Sequence, residues 1–212
     1  MHDLTLWGAG TVRQLRPHWM LEEFGLDYTF HSVHPRTGQT KTPEFLRLNP
    51  RHKVPLLRHG DLLLTESAAI IEYIAEAFDA PETFHVPRDP VGRAKVAEWS
   101  YFVMSELDAH SLYVMRRHGD LKHLYGEAPA AVVAARDYFL ENLEAMAPQI
   151  GVDQPYLLGD KLTTADILLA TCLDWAKLYE IPLAPTICAY HERTTSRPAY
   201  KAALIRAFAE PS

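Results

Sequence analysis

The strand patterns of this chain all lie between Leu4 and Leu64, and helical periodicity dominates from Val91 to Phe208. The segment before Val91, residues 79–90, carries three prolines in a polar background, which is typical of a linker. Short strands followed by a long run of helices indicate an α/β unit joined to a separate helical unit. We therefore predict an α/β domain over residues 1–79, a linker over 80–90 and an all-helical domain over 91–212.

The first half of the α/β domain has the pattern of a parallel β-α-β unit. Leu4–Trp7 is an apolar run closed by a glycine-rich turn, and Tyr28–Val33 alternates apolar or aromatic residues with polar ones. The amphipathic segment between them predicts a helix that starts near Val12 to Arg16 and ends before Gly25, a residue favoured after helices. Pro17 fits the first turn of this helix, where N–H groups have no intrahelical acceptor.

The second half of the domain predicts a short helix, a β-hairpin and a longer helix. Pro43–Leu48 has a helical pattern, and the runs Val54–Arg58 and Leu62–Leu64 flank a glycine-containing turn. The apolar segment Ala68–Phe78 predicts the final helix, with Ser67 as its N-cap. The complete predicted order is β-α-β-α-β-β-α.

Charge and hydropathy exclude two classes of partner. The formal net charge is −6 and the cationic side chains are dispersed, so a nucleic-acid partner is not expected. No apolar run approaches the roughly 20 residues that span a bilayer, so no membrane partner is expected either. Residues 1–4 lack a basic region followed by an apolar one, and a cytoplasmic location is therefore expected.

Cysteine and histidine usage excludes further classes. Cys172 and Cys188 are the two cysteines and no CxxC motif occurs, which argues against a disulfide scaffold and a dithiol redox enzyme. The 11 histidines include no pair at i, i+4 with an acidic neighbour, the spacing that zinc enzymes use. We expect no metal site.

Four segments, Leu21–Leu26, Phe45–Leu57, Leu64–Ile70 and Thr163–Asp166, carry a family resemblance in order and at characteristic spacing. Together with the element order, they resemble the glutathione S-transferase superfamily of the cytosolic type, in a Ser/Thr-like or divergent bacterial class. The resemblance implies an N-terminal thioredoxin-like domain followed by an all-helical C-terminal domain. Thr163 and Asp166 have, independently of this resemblance, the spacing of a helix capping box.

The resemblance implies that glutathione binds the first domain as co-substrate. A proline at a strand start cannot pair through an N–H, and a cis Val54-Pro55 bond would turn the Val54 N–H and C=O outward. The resemblance places the cysteinyl backbone of glutathione on Val54 as an added strand. Glu66 and Ser67 suit an α-amino-acid end, since a carboxylate binds at a helix N-terminus and an ammonium at a carboxylate.

Two more residues are expected near the glycine carboxylate, and two near the sulfur. Lys53 is expected to meet the carboxylate, with Gln39 or Lys41 assisting from the preceding loop. Thr11 lies where the superfamily has its catalytic serine or threonine, and Arg13 where other members have asparagine or cysteine. A thiol with pKa around 8.5 needs such help to ionise at pH 7, and Thr11, Arg13 or a backbone amide remain alternatives for it.

The implied activity is a transferase that conjugates the glutathione thiolate to small electrophiles or reduces peroxides. One rival is a non-catalytic glutathione-binding or interaction protein, because the turn before Arg13 lacks the usual serine-rich stretch and Pro17 replaces a common valine. A second rival is an isomerase or reductive dehalogenase of the same fold. The resemblance also implies a homodimer.

Overall fold

The computed structural model describes residues 3–150 and 154–208. These residues divide into two compact units, one formed by the described parts of 1–83 and 195–212, the other by those of 84–194. The division falls within the predicted linker, 80–90. The sequence placed the last helix in the helical domain, whereas in the structure this helix packs with the N-terminal unit.

The first unit follows the predicted order of strands and helices. Its elements are β1 (Leu4–Trp7), α1 (Val12–Glu23), β2 (Thr29–His31), a 3₁₀ turn (Gln39–Lys41), α2 (Pro43–Leu48), β3 (Leu56–His59), β4 (Leu62–Thr65), α3 (Ser67–Ala77) and, from the end of the chain, α10 (Pro198–Ala207). The strands form one sheet in the order β2-β1-β3-β4. β1 pairs in parallel with β2 and antiparallel with β3, and β3 and β4 form the hairpin. The predicted fold class is thereby confirmed.

The helix α1 is the centre of this unit, because it packs against both α3 and α10. Leu15 and Trp19 are fully buried on it, and the Trp19 ring meets Tyr200 of α10 edge-on at 4.9 Å between centroids. Arg197, just before α10, forms a bidentate ion pair with the buried carboxylate of Glu23. These contacts explain why the end of the chain joins this unit.

Local boundaries differ from the sequence prediction at three places. α1 begins at Val12, so Pro17 lies in its second turn, not its first, and cannot donate to the carbonyl four residues earlier. β3 begins at Leu56, which leaves Val54 and Pro55 before the paired strand. α3 begins at Ser67, and its N-cap is Glu66.

The second unit is helical, as predicted. Its elements are α4 (Pro90–Phe102), a π-helical stretch (Val103–Leu112), α5 (Tyr113–His118), α6 (Lys122–Tyr125), α7 (Pro129–Met146), a 3₁₀ turn (Ala147–Gln149), α8 (Thr164–Leu178) and α9 (Pro185–Thr195). The predicted capping box opens α8. The Asp166 carboxylate accepts the Thr163 N–H at 2.9 Å, the Leu157 N–H at 2.9 Å and the Tyr190 hydroxyl at 2.7 Å. It is thus the polar centre of this unit.

None of the helices within residues 3–150 and 154–208 combines the length and the apolar character needed to cross a membrane. The same part of the chain holds no group of three or more His, Cys, Asp or Glu side chains arranged to bind a metal ion.

Candidate functional site

The candidate site begins where β1 and β2 end side by side. Parallel strands carry their carboxyl ends to the same edge of a sheet, and ligands of open α/β sheets bind outside that edge. The pairing of these strands continues into the turn after β1, since Gly8 N–H donates to His31 at 3.2 Å and Ala9 N–H to Val33 at 3.0 Å. The turn from Gly8 to Thr11 is therefore fixed against the end of β2.

Gly8 brings this turn into contact with the Val54-Pro55 segment. Its φ is +135°, and an added Cβ would lie 3.0 Å from Val54 Cβ and 3.3 Å from Pro55 Cα. The same Cβ would lie 2.9 Å from Gln14 Cγ. Only glycine allows an approach this close. The structure thus joins two predicted site segments that are far apart in sequence.

Thr11 and Arg13 lie at the start of α1, as the sequence predicted. Thr11 is the N-cap in extended conformation, and its side chain accepts no hydrogen bond from the helix. Its hydroxyl instead donates to Gln14 Oε1 at 2.7 Å. Arg13 is half-buried in the first turn. The N–H groups of a first helical turn have no intrahelical acceptor, so this end of α1 favours an anion.

The Val54-Pro55 peptide bond is cis. Val54 packs against the apolar cluster of Trp7, Phe45 and Leu56. The loop leading to it is held by Asn49, which is 3% exposed and donates through Nδ2 to the Lys53 carbonyl at 2.8 Å. Asn49 is a supporting residue that sequence reasoning missed.

Ser67 and Glu66 differ sharply in environment. Ser67 is 4% exposed, whereas Glu66 is exposed, with φ +71°, and pairs with Arg51 at 3.2 Å. An exposed ion pair of this kind is worth roughly 0–1 kcal/mol. An arriving ammonium group could therefore replace Arg51 at the Glu66 carboxylate with little loss of stability.

Arg16 is the second residue that sequence reasoning missed. Its side chain is fully buried, and Nη1 donates to Ser67 Oγ at 3.1 Å. Because the serine oxygen already accepts from a cation, its own proton remains available for a carboxylate. The available signal was an arginine next to the apolar residues of an amphipathic helix, which the helical pattern alone presents as a surface charge.

Gln39 and Lys53 have less direct connections to the site. Gln39 Oε1 accepts the His34 N–H at 2.8 Å and lies 3.1 Å from the Thr37 hydroxyl oxygen, so its side-chain carbonyl holds the loop after β2. Lys53 is exposed and directly precedes Val54. The structure therefore places Lys53 beside the site and gives Gln39 a structural role in the neighbouring loop.

A buried histidine, His18, contacts the backbone of the turn. His18 Nε2 donates to the Gly8 carbonyl at 3.3 Å, and Nδ1 lies 2.9 Å from the Tyr28 hydroxyl. Burial lowers the pKa of His18 to about 4, against the opposing effect of the Gly8 hydrogen bond. On the other side of the turn, Gly10 N–H donates to the Ala207 carbonyl at 2.7 Å.

Two family models match the chain in the order of its units. "Glutathione S-transferase, N-terminal domain" matches residues 2–76, and "Glutathione S-transferase, C-terminal domain" matches residues 102–198. The chain belongs to the glutathione S-transferase superfamily. The resemblance identified from the four sequence segments is confirmed.

Individual members of the superfamily match over most of their length. Glutathione S-transferase TCHQD of Arabidopsis thaliana is 28% identical over 93% of this chain and 88% of its own. The maleylpyruvate isomerase of a Ralstonia species is 29% identical over 84% of each chain. A solved theta-class glutathione S-transferase of Xanthomonas axonopodis pv. citri, with glutathione bound, is 29% identical, with a TM-score of 0.78 over 97% of this chain and 98% of that one.

The Gly8–Thr11 turn is the part of the sequence that is least typical of the superfamily, and it is also the most constrained part of the site. The Gly8–Thr11 turn contacts β2, Val54-Pro55 and α10 through its backbone. Its side-chain chemistry is limited to the Thr11 hydroxyl, which is already hydrogen-bonded. The arrangement therefore provides a backbone turn, held by hydrogen bonds to β2 and α10, beside a helix N-terminus.

Proposed function

We propose that the chain is a glutathione-dependent transferase whose binding site is the Gly8–Thr11 turn, Val54-Pro55 and the start of α3. The proposed reaction joins the glutathione sulfur to the carbon of a small electrophile, or reduces a peroxide. Membership of the superfamily supports it, and so does the glutathione bound to the Xanthomonas relative. The observation that carries the site assignment is the direct packing of Gly8 against Val54 and Pro55.

Each proposed contact has a chemical reason. Ser67 offers its hydroxyl and the N-terminus of α3 to the γ-glutamyl carboxylate, and the buried charge of Arg16 lies directly behind it. Glu66 holds the ammonium, Val54 pairs with the cysteinyl backbone and Lys53 meets the glycine carboxylate. The sulfur lies at the start of α1, where Thr11 or Arg13 stabilises the thiolate.

The test compares two substitutions with the unchanged protein. Ser67→Ala is expected to raise the Kd for glutathione about tenfold or more, the usual effect of losing a hydrogen bond to a charged group. Thr11→Ala is expected to lower kcat more than it raises KM. Calorimetry measures the Kd for glutathione, and conjugation to a halide acceptor measures kcat and KM. Thr29→Ala, on the exposed face of β2, is the matched control. Unchanged constants in both variants would contradict the site assignment.

A second candidate, a glutathione-binding protein without catalysis, is favoured by one observation. The Thr11 hydroxyl has a single proton, and it is donated to Gln14. Ultraviolet absorbance of the bound thiolate separates the two functions. A thiol that titrates as free glutathione does would support the non-catalytic protein.

The acceptor substrate and the assembly are further parts of the proposal. A panel of halides, enals, peroxides and maleylpyruvate identifies the acceptor, and it covers isomerisation because one relative is named a maleylpyruvate isomerase. A homodimer is proposed from membership of the superfamily alone. Gel filtration at micromolar concentration tests it.

A cytoplasmic location completes the proposal. Cys172 and Cys188 form no disulfide, which matches a compartment kept reduced by glutathione. Fractionation of cells that produce the protein tests this location.

A further inference from the structure

A histidine on the loop after β2 lies against the turn of the proposed thiol site. The His34 ring covers Gly10, whose φ is +81°, and an added Cβ on Gly10 would lie 2.7 Å from Nδ1 and 3.2 Å from Cε1. The imidazole therefore occupies the space that a side chain at residue 10 would fill. It contacts the backbone immediately before Thr11, at the N-terminus of α1.

The ring and its loop are held in place by hydrogen bonds. His34 Nε2 lies 3.1 Å from Ser32 Oγ, and the His34 backbone N–H donates to Gln39 Oε1 at 2.8 Å. The Thr37 hydroxyl donates to the His34 carbonyl at 2.8 Å. In the tautomer that donates its Nε2 proton to Ser32 Oγ, the lone pair of Nδ1 faces the turn. The loop thus aims one basic nitrogen at the start of α1.

A thiol bound at this turn needs a basic group nearby in order to ionise. Thr11, the residue expected to contact the sulfur, already donates its proton to Gln14. A thiol with pKa around 8.5 is mostly protonated at pH 7 and needs a base to take its proton. A nearby imidazolium lowers the pKa of a thiol strongly, as in the cysteine–histidine pairs of other enzymes.

We infer that His34 accepts the thiol proton of bound glutathione and holds the thiolate as an ion pair. The inference rests on the proposed function. The S–H bond breaks with its electron pair left on sulfur, and an N–H bond forms at Nδ1. When the thiolate attacks the electrophile, a C–S bond forms and the leaving group departs with its electron pair. The Nδ1 proton then passes to water, which restores the neutral imidazole.

The experiment titrates the thiol of glutathione bound to the full chain by its ultraviolet thiolate absorbance. His34→Gln is expected to raise the pKa of that thiol by about one unit, the lower end of the effect of a close opposite charge. The kcat at neutral pH should fall by a factor of about three to ten, depending on how far the thiol pKa lies above the assay pH, because the thiolate fraction falls with it. The Kd for glutathione should change far less, because the binding contacts at Val54 and Ser67 remain.

The matched control is His59→Gln. His59 pairs with Leu4 in the sheet, at the opposite end of β1 from the turn, and its Nδ1 lies 2.8 Å from the Tyr73 hydroxyl. This variant should leave the titration of the bound thiol unchanged. Ser32→Ala releases the His34 ring without altering the turn, and a smaller rise in the thiol pKa is expected. If His34→Gln does not fold, the titration of bound glutathione in Ser32→Ala tests the role of His34 instead.

The outcomes separate this inference from the function on which it rests. If the unchanged protein ionises bound glutathione and both His34→Gln and Ser32→Ala titrate identically to it, the role of His34 is overturned and the transferase stands. If the unchanged protein binds no glutathione, the transferase and the role of His34 are both overturned.

Discussion

The buried histidine below the turn predicts a specific pH dependence of stability. His18 is fully buried, and loss of hydration lowers its pKa from 6.5 to about 4. The native protein therefore keeps this imidazole neutral well below the pH at which the unfolded chain protonates it. Where the unfolded state binds more protons, stability rises with pH. The contribution of His18 is thus complete above about pH 6.5 and is lost as the pH falls towards 4.

The size of this contribution follows from the shift itself. One pKa unit corresponds to 1.36 kcal/mol, so the depression of His18 is worth about 3 kcal/mol between neutral pH and about pH 4. The free energy of unfolding of an ordinary domain is about 5–15 kcal/mol. Protonation of His18 alone therefore removes a substantial part of the stability.

His18→Gln tests the reasoning, because glutamine does not titrate and can still reach the Gly8 carbonyl. The variant is expected to cost about 1 kcal/mol at neutral pH and to lose less stability on acidification than the unchanged protein. Urea unfolding followed by tryptophan fluorescence at about pH 7.5 and about pH 4.5 measures the free energy of unfolding of both. If the difference between the two proteins is the same at every pH, His18 is not the group responsible and the reasoning is refuted.

Two further predictions concern buried polar groups. Arg16→Met is expected to weaken glutathione binding about tenfold, because it removes the donor to Ser67. In a Ser67→Ala background, calorimetry should detect a smaller effect of the same substitution, since the two residues act together. Equal effects in both backgrounds would contradict the coupling. Asp166→Asn is expected to cost about 3 kcal/mol of stability. Tyr190→Phe is expected to cost only about 1 kcal/mol, because the tyrosine is one of several donors to the Asp166 carboxylate. Urea unfolding measures both, and a larger loss for Tyr190→Phe would refute the central role of Asp166.

The sequence predicted the order of elements well, because that order is encoded locally. An apolar run, period-two alternation, a glycine-containing turn and helical periodicity predict β1, β2, the hairpin and the helices without reference to distant residues. The Thr163 and Asp166 capping box is also confirmed, since its two members are three residues apart. Pro17 was misplaced, because tertiary packing of α1 maintains a helix that the proline alone would disfavour.

The candidate site was predicted in part. Thr11, Val54 and Ser67 were predicted as site residues from the family resemblance, and the structure places Val54 against Gly8 of the turn that contains Thr11. Arg16 and His34 were missed. A charged residue in a helix and a histidine in a loop look like surface residues until their neighbours are known.

The sequence by itself determined which elements form and in which order, and it suggested which short motifs could bind a peptide. Only the tertiary structure decided which side chains meet: Arg16 with Ser67 across 51 residues, Gly8 with Val54, and the imidazole of His34 with Gly10. The last helix joins the first unit for the same reason, through Arg197 and Glu23. Local patterns encode backbone conformation, whereas these contacts depend on how whole elements pack, and no short segment of sequence contains that information.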